Sequence, residues 1–577
     1  MRLTSQLLAL LFAALLAFLA QAQAPGTDDD EEDETPPPAA EAPKAAENLP
    51  PQELTEPLLY EFLLGEIARQ RGNPGIAAQT YLDLAKQTRD PRVARRAVEL
   101  ANYARAPQIA LEAARTWHEA DPASPQALRT VTALLVNARR VDEAEPYIAK
   151  LLAGNDAAPG GLMQLGQLLA QNPDKAANLR VVRKLAEPYP ETPEAHFAIA
   201  QAATAANDET LALQELGRAA ALRPGWDLAA IFEAQIVRRR SPGDALKGLS
   251  SFLDQYPNAR DVRISYARLL VGEKRYPEAR TEFEKLLSLH KDDTEAIYGV
   301  GLLAMQAKDY ATAEANLTRL LELGFRDPNG LRFTLAQIAE EQKEWPRAIG
   351  WYDTIRRGEH ALQARMRTAN ALAKQGKLDD ARNYLKGVSA SDTERVQLLI
   401  AEAQLLREAS RNGEAFELLG KALEKNPEQP DLLYDHALTA EKLNRLDILE
   451  SNLRTLIKVK PDHAHAYNAL GYSFADRNER LPEARKLIEH ALELAPEDYY
   501  IMDSLGWVLY RMGDLKGAAQ HLRRAWSGRP DGEIGAHLGE VLWALGERAE
   551  AEHVWREALE ASPDNDTLQK TIQRLKK

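Results

Sequence analysis

Along most of the chain, apolar residues recur every three to four positions, in stripes that break at regular points. Near the C-terminus Leu505, Leu509 and Met512 lie at this spacing, which predicts a helix packed on one side. Gly513-Asp514 interrupts the stripe as a turn. Ala518, Leu522 and Ala525 then predict a second apolar helix face, and Pro530 ends it, because proline cannot continue a helix. The same block stands on either side. Leu470-Gly471, Leu505-Gly506 and Leu538-Gly539 are followed by Ala484, Ala518 and Ala551, then by Ala491, Ala525 and Ala558, then by Pro496, Pro530 and Pro563.

The first alanine of this block can be followed backwards in steps of 33 to 35 residues, through Ala415, Ala381, Ala348, Ala313, Ala279, Ala245, Ala212, Ala144, Ala110 and Ala77. Asn178 and Leu449 occupy the two rungs that lack alanine, which brings the total to fifteen. Each block reads as a pair of helices. Small residues at the Gly and Ala positions let the two backbones approach, and a bulky side chain there would overpack by about 1–3 kcal/mol. One pair leaves an apolar face that only the next can cover, so the predicted fold is all-α, a solenoid of about fifteen helix pairs. The array is expected over residues 58–566. Residues 567–577 are expected to form a capping helix, with Leu568, Ile572 and Leu575 on its inner side.

The N-terminus departs from this pattern. Arg2 precedes a 14-residue apolar run, Leu7 to Ala20, and Ala20-Gln21-Ala22 fits the small-x-small cleavage rule. Residues 1–22 therefore read as an export signal, with an uncleaved anchor as the alternative. Residues 23–57 read as a disordered acidic and proline-rich linker. Seven acids run from Asp28 to Glu34, and Pro36-Pro37-Pro38 follows. Such a stretch cannot bury enough apolar surface to offset its ordering. It serves as a solvated tether or as an arm for a basic partner. No later segment is long and apolar enough to span a membrane.

Composition sharpens this picture. The chain has 577 residues, 45% of them hydrophobic, only 6% aromatic, and no cysteine. Disulfides, thiolate metal sites, thiol nucleophiles and a lipidated cysteine are all excluded. A protein free of thiols is at ease in an oxidising compartment, so the expected location is the periplasm. The net charge of −14 belongs mostly to residues 25–57, which carry −10. With Arg2 contributing +1, the array holds −5. That balance speaks against a nucleic-acid binder, which needs a basic face.

Enzyme chemistry finds no foothold. The chain lacks G-x-S-x-G, a glycine-rich phosphate loop and H-E-x-x-H. His463 and His465 stand two apart at a helix start, a spacing that points them away from each other, so no metal or cofactor is expected. Glu340-Glu341 and Asp379-Asp380 read as solvated charge. Fifteen repeats leave no room for a catalytic domain, and the protein is expected not to be an enzyme.

The L-G…A…A…P ladder resembles the tetratricopeptide repeat (TPR) over about nine-tenths of the chain. The resemblance implies a right-handed superhelix with a concave channel that binds proteins. In similar arrays, the positions six and three before the glycine, and one, four and five after it, line the inner surface. The residues singled out there are His465, Asn468, Tyr472 and Asp476, then Tyr500, Asp503, Trp507, Tyr510 and Arg511, then Glu540 and Trp543. Aromatic and Arg side chains are common binding anchors, though Trp507 and Tyr510 fit core packing equally well. The run Asn468-Ala-Leu-Gly-Tyr472, with Asp503-Ser-Leu-Gly-Trp507-Val-Leu-Tyr510, looks like the LbcA-type TPR adaptors of proteobacteria. That resemblance implies a periplasmic adaptor that activates a carboxyl-terminal processing protease and presents cell-wall hydrolases to it. The best-known members are lipoproteins, and this chain has no cysteine to carry the lipid. A scaffold for an envelope or exopolysaccharide export complex is the alternative.

Overall fold

The computed structural model describes residues 50, 52–153, 158–170 and 172–576. The expected signal peptide and residues 23–49 of the expected linker lie outside the described residues. The first helix among the described residues begins at Glu56, just inside the stretch expected as linker, with Pro57 in its first turn. Among the described residues there are thirty-one α-helices and no strand, and none is long and apolar enough to cross a membrane.

The local chemistry of one pair explains the others. The helix Tyr499–Arg511 starts where the Asp498 carboxylate accepts the backbone N–H groups of Tyr500 at 2.9 Å and Ile501 at 3.1 Å. Those donors have no partner inside a helix. Gly513, at φ +88, makes the left-handed turn that a side chain disfavours. Asp514 then accepts from the Gly517 N–H at 2.9 Å and starts the helix Leu515–Gly528. Elsewhere the same turn falls to Asn207, Asn444 and Asn478, and also to Arg105, Arg139, Lys274, Lys308, Lys343 and Ser410, all at positive φ; of these, asparagine tolerates that region best.

Packing follows the ladder. The thirteen alanines of the first rung are all between 0 and 2% exposed. Asn178 fits its rung because its amide donates to the Leu169 carbonyl at 2.9 Å and accepts from Asn172 at 2.7 Å, so its burial leaves no polar group stranded. Leu449 is fully buried. A Cβ on Gly471 would sit 2.8 Å from the Ala484 carbonyl oxygen, which shows how closely the paired backbones approach.

The helices fall into two compact units. Among the described residues the first holds eight pairs, from Glu56–Gln70 to Tyr310–Glu322. The second holds seven, from Pro328–Glu341 to Arg548–Ala561, and then the single helix Asp566–Leu575. Each unit is an all-α solenoid in which neighbouring pairs share apolar core, as from Leu433 to Leu568 in the second. The last helix buries Leu568 and turns Gln569, Lys570 and Gln573 to solvent.

One acid departs from the solvated reading. Glu340 is half-buried and pairs with Arg367 at 3.2 Å. Burial holds its carboxyl above the usual range, against the pull of Arg367.

Candidate protein-binding face

In the second unit the first helices of the last three pairs, Ala464–Asp476, Tyr499–Arg511 and Gly532–Leu545, touch one another in turn. Their side chains therefore form one surface, and the residues singled out in the sequence occupy three depths of it. Asp503, Trp507 and Glu540 are buried, with 4 to 6% exposure. Asn468, Tyr472, Tyr500, Tyr510, Arg511 and Trp543 are half-buried, while His465 and Asp476 are exposed.

The buried layer is a polar lock between repeats. His537 donates from Nδ1 to Asp503, 2.9 Å from Oδ2 and 3.1 Å from Oδ1. Trp507 stacks on the imidazole at 4.2 Å between ring centres, and Tyr472 lies 6.2 Å from it. Burial works against a charged His537, yet Asp503, helped by Glu533 and Glu540, outweighs it and holds the imidazolium above its ordinary range. Glu540 receives the Tyr510 hydroxyl at 3.1 Å and the Arg574 guanidinium of the last helix. Trp507 and Glu540 thus tie successive helices together. The indole N–H of Trp507 is buried without a hydrogen-bond partner.

The layer above is acidic and aromatic. Burial raises the Tyr472 phenol, and Glu533, Asp476, Asp503 and Glu441 raise it further. Burial likewise lifts the Glu441 carboxyl, and Asp476 and Glu533 add to this against Lys442 and Arg477. Glu441, Asp476 and Glu533 act on one another there, partly offset by Lys442 and Arg477, an arrangement that suits a cationic or hydrogen-bond-donating partner group. Several neighbours are already engaged. Arg511 donates to the Asp476 carbonyl at 3.0 Å and lies 5.7 Å from the Trp507 ring centre. Arg529 covers Tyr500 at 4.8 Å, Arg548 covers Trp543 at 5.0 Å, and His465 faces Asp498 at 3.8 Å.

Sequence reasoning missed Glu441, Glu533 and His537. Glu533 stands six before Gly539, a position that the periodic rule already names. Glu441 stands four after Ala437, another position that the rule names, but in a repeat with alanine instead of glycine, so the marker was absent. His537 sits at an inter-repeat packing position for which the rule has no signal. No group of His, Asp and Glu among the described residues is arranged to hold a metal.

Similarity to known proteins agrees with this architecture. The tetratricopeptide repeat family matches residues 298–360, 366–430, 434–499 and 475–533. A TPR repeat-containing protein of Pseudomonas aeruginosa is 34% identical over 524 residues, 90% of this chain and 88% of that protein. The cellulose synthase operon protein C of Pseudomonas fluorescens is 24% identical over 473 residues, which cover 74% of this chain but only 35% of that protein. Yeast Tom70 is a solved structure with 14% identity and a TM-score of 0.34, covering 73% of this chain and 95% of that chain.

Proposed function

The chain belongs to the tetratricopeptide-repeat family, and from that premise we propose that it is a non-enzymatic periplasmic adaptor whose partner docks on the acidic, aromatic face of the last three first helices and on the end of the preceding first helix, Pro430–Lys442, which carries Glu441. The observation that carries this reading is a face where half-buried Tyr472, Tyr510 and Trp543 share the touching first helices with exposed Asp476 and half-buried Glu533, and where Glu441 acts on the same Tyr472 phenol. Glu533 also helps hold the His537 proton, but Asp476 and Glu533 both act unfavourably on a charged Glu441, and a partner with Lys or Arg side chains would relieve that repulsion. The rigid lock of His537, Asp503 and Trp507 beneath would preorganise the face and lower the ordering cost of binding.

In its most specific form, the partner is a carboxyl-terminal processing protease, and the adaptor also holds the protease's cell-wall hydrolase substrates. Two proteins on one scaffold meet at a raised effective concentration. The export signal over residues 1–22, the acidic tether and the LbcA-type run around Tyr472 and Trp507 support this form. A second reading, a scaffold in exopolysaccharide export, is favoured by the match to cellulose synthase operon protein C.

Affinity purification of the tagged chain from periplasmic extract separates the two. Recovery of the protease supports the adaptor. Recovery of synthase or export subunits without a protease rejects it in favour of the second reading.

A further inference from the structure

The two ends of the array are finished differently. The last helix, Asp566–Leu575, presents polar side chains to solvent, as an end repeat in a soluble solenoid should. The first helix, Glu56–Gln70, does not. Seven of the sixteen large apolar side chains exposed among the described residues lie between Leu54 and Ile67. Leu59, Leu63 and Ile67 are 43, 48 and 46% exposed and follow one another at four-residue steps. Tyr60 and Leu64 widen the stripe along its side, at 66 and 39%. The opposite side of the same helix, through Gly65 and Ala68, is already buried against the next helix. The outer stripe is therefore a second apolar face, and a continuous face of this kind on a soluble protein marks a contact surface.

The charges at its two ends specify what covers it. Glu56 closes the stripe at the N-terminal end and exposed Arg71 closes it at the C-terminal end, with Leu63 midway. This pattern is complementary to itself when reversed. We propose that the first helix pairs antiparallel with the same helix of a second copy of this chain, about a two-fold axis at Leu63. Leu59 then meets the copy's Ile67, the two Leu63 side chains meet each other, and each Glu56 meets the copy's Arg71. The contact is isologous and closes on itself, so it yields a dimer and not a filament.

Sedimentation velocity of the purified chain over a concentration series tests this, with circular dichroism to confirm that each variant keeps its helices. A reversible monomer–dimer equilibrium is expected. Leu63→Arg sets two like charges face to face and weakens the dimer by about tenfold or more. Glu56→Arg and Arg71→Glu each weaken it by about two- to fivefold, and the double variant restores it. Three outcomes overturn the proposal: a chain that stays monomeric throughout, whether its stripe binds lipid vesicles or its own N-terminal residues; a dimer indifferent to Leu63→Arg; or a double charge variant no better than the single ones.

Discussion

The imidazole of His537 lies 2.9 Å from the Asp503 carboxylate, and the two residues belong to first helices of successive repeats. The stack thereby acquires a buried titratable joint. Asp503 keeps the proton on His537 above its unfolded value of 6.5. A group whose folded pKa is raised stabilises fully below its unfolded pKa and loses that contribution as pH rises through the folded one. Urea midpoints should therefore fall from about pH 6.5 upward. Asp503→Asn should flatten that part of the profile. A wild-type profile that rises over this range, or a variant with the same slope, would contradict the assignment.

Trp507 and the residues above it should separate by readout. Trp507 is 6% exposed and stacked on His537. Trp507→Ala should cost about 3–5 kcal/mol of stability, with melting and partner binding lost together. Asp476→Lys, at an exposed position, combined with the milder Glu533→Gln should cost no more than about 1 kcal/mol of stability and still reduce partner capture. Thermal melts run beside a pull-down decide it. Unchanged capture by the double variant would move the docking site elsewhere.

Gly506 marks one of the tight requirements of the repeat. A Cβ there would come within 3.2 Å of the Ala518 carbonyl oxygen and closer still to Leu522. Gly506→Val should destabilise the second unit by about 1–3 kcal/mol. The same change at Gly517 would meet mainly the mobile Asp514 side chain, its N-cap. Denaturant midpoints that rank these two variants equally would show that the helices can separate at little cost.

Ion pairs between successive repeats should matter far less. Glu450 meets Arg480 at 2.8 Å and Arg454 meets Glu483 at 2.7 Å, all with substantial exposure. Glu450→Ala should cost less than about 1 kcal/mol, and raised salt should erase most of that. A larger, salt-resistant loss would assign these pairs a structural role that their exposure argues against.

The fold was legible because its requirements are local and repeated. Gly506 and Ala518 are small for a reason that recurs every 34 residues or so, and the chain repeats the answer. Even Asn178 and Leu449 kept their places in the ladder, one by satisfying its own amide and the other by filling space. The face was only partly legible. Its positions follow from the register of the first helices, which is how Tyr472 and Asp476 were found. Their depths do not, because Asp503, Trp507 and Glu540 are buried by contacts with the neighbouring repeats. His537 is a tertiary partner of Asp503, and no spacing within one helix announces it.

A partner protein on the first-helix face of the last repeats would lie within reach of Asp476. A photo-cross-linking residue placed at Asp476, which is exposed on that face, tests this docking most directly, with the same residue at exposed Arg485 on the neighbouring second helix as the control. Irradiation in the periplasm should give a covalent adduct with the partner from position 476 and none from 485. An adduct from 485 alone, or none from 476 while the partner still co-purifies, would contradict the account.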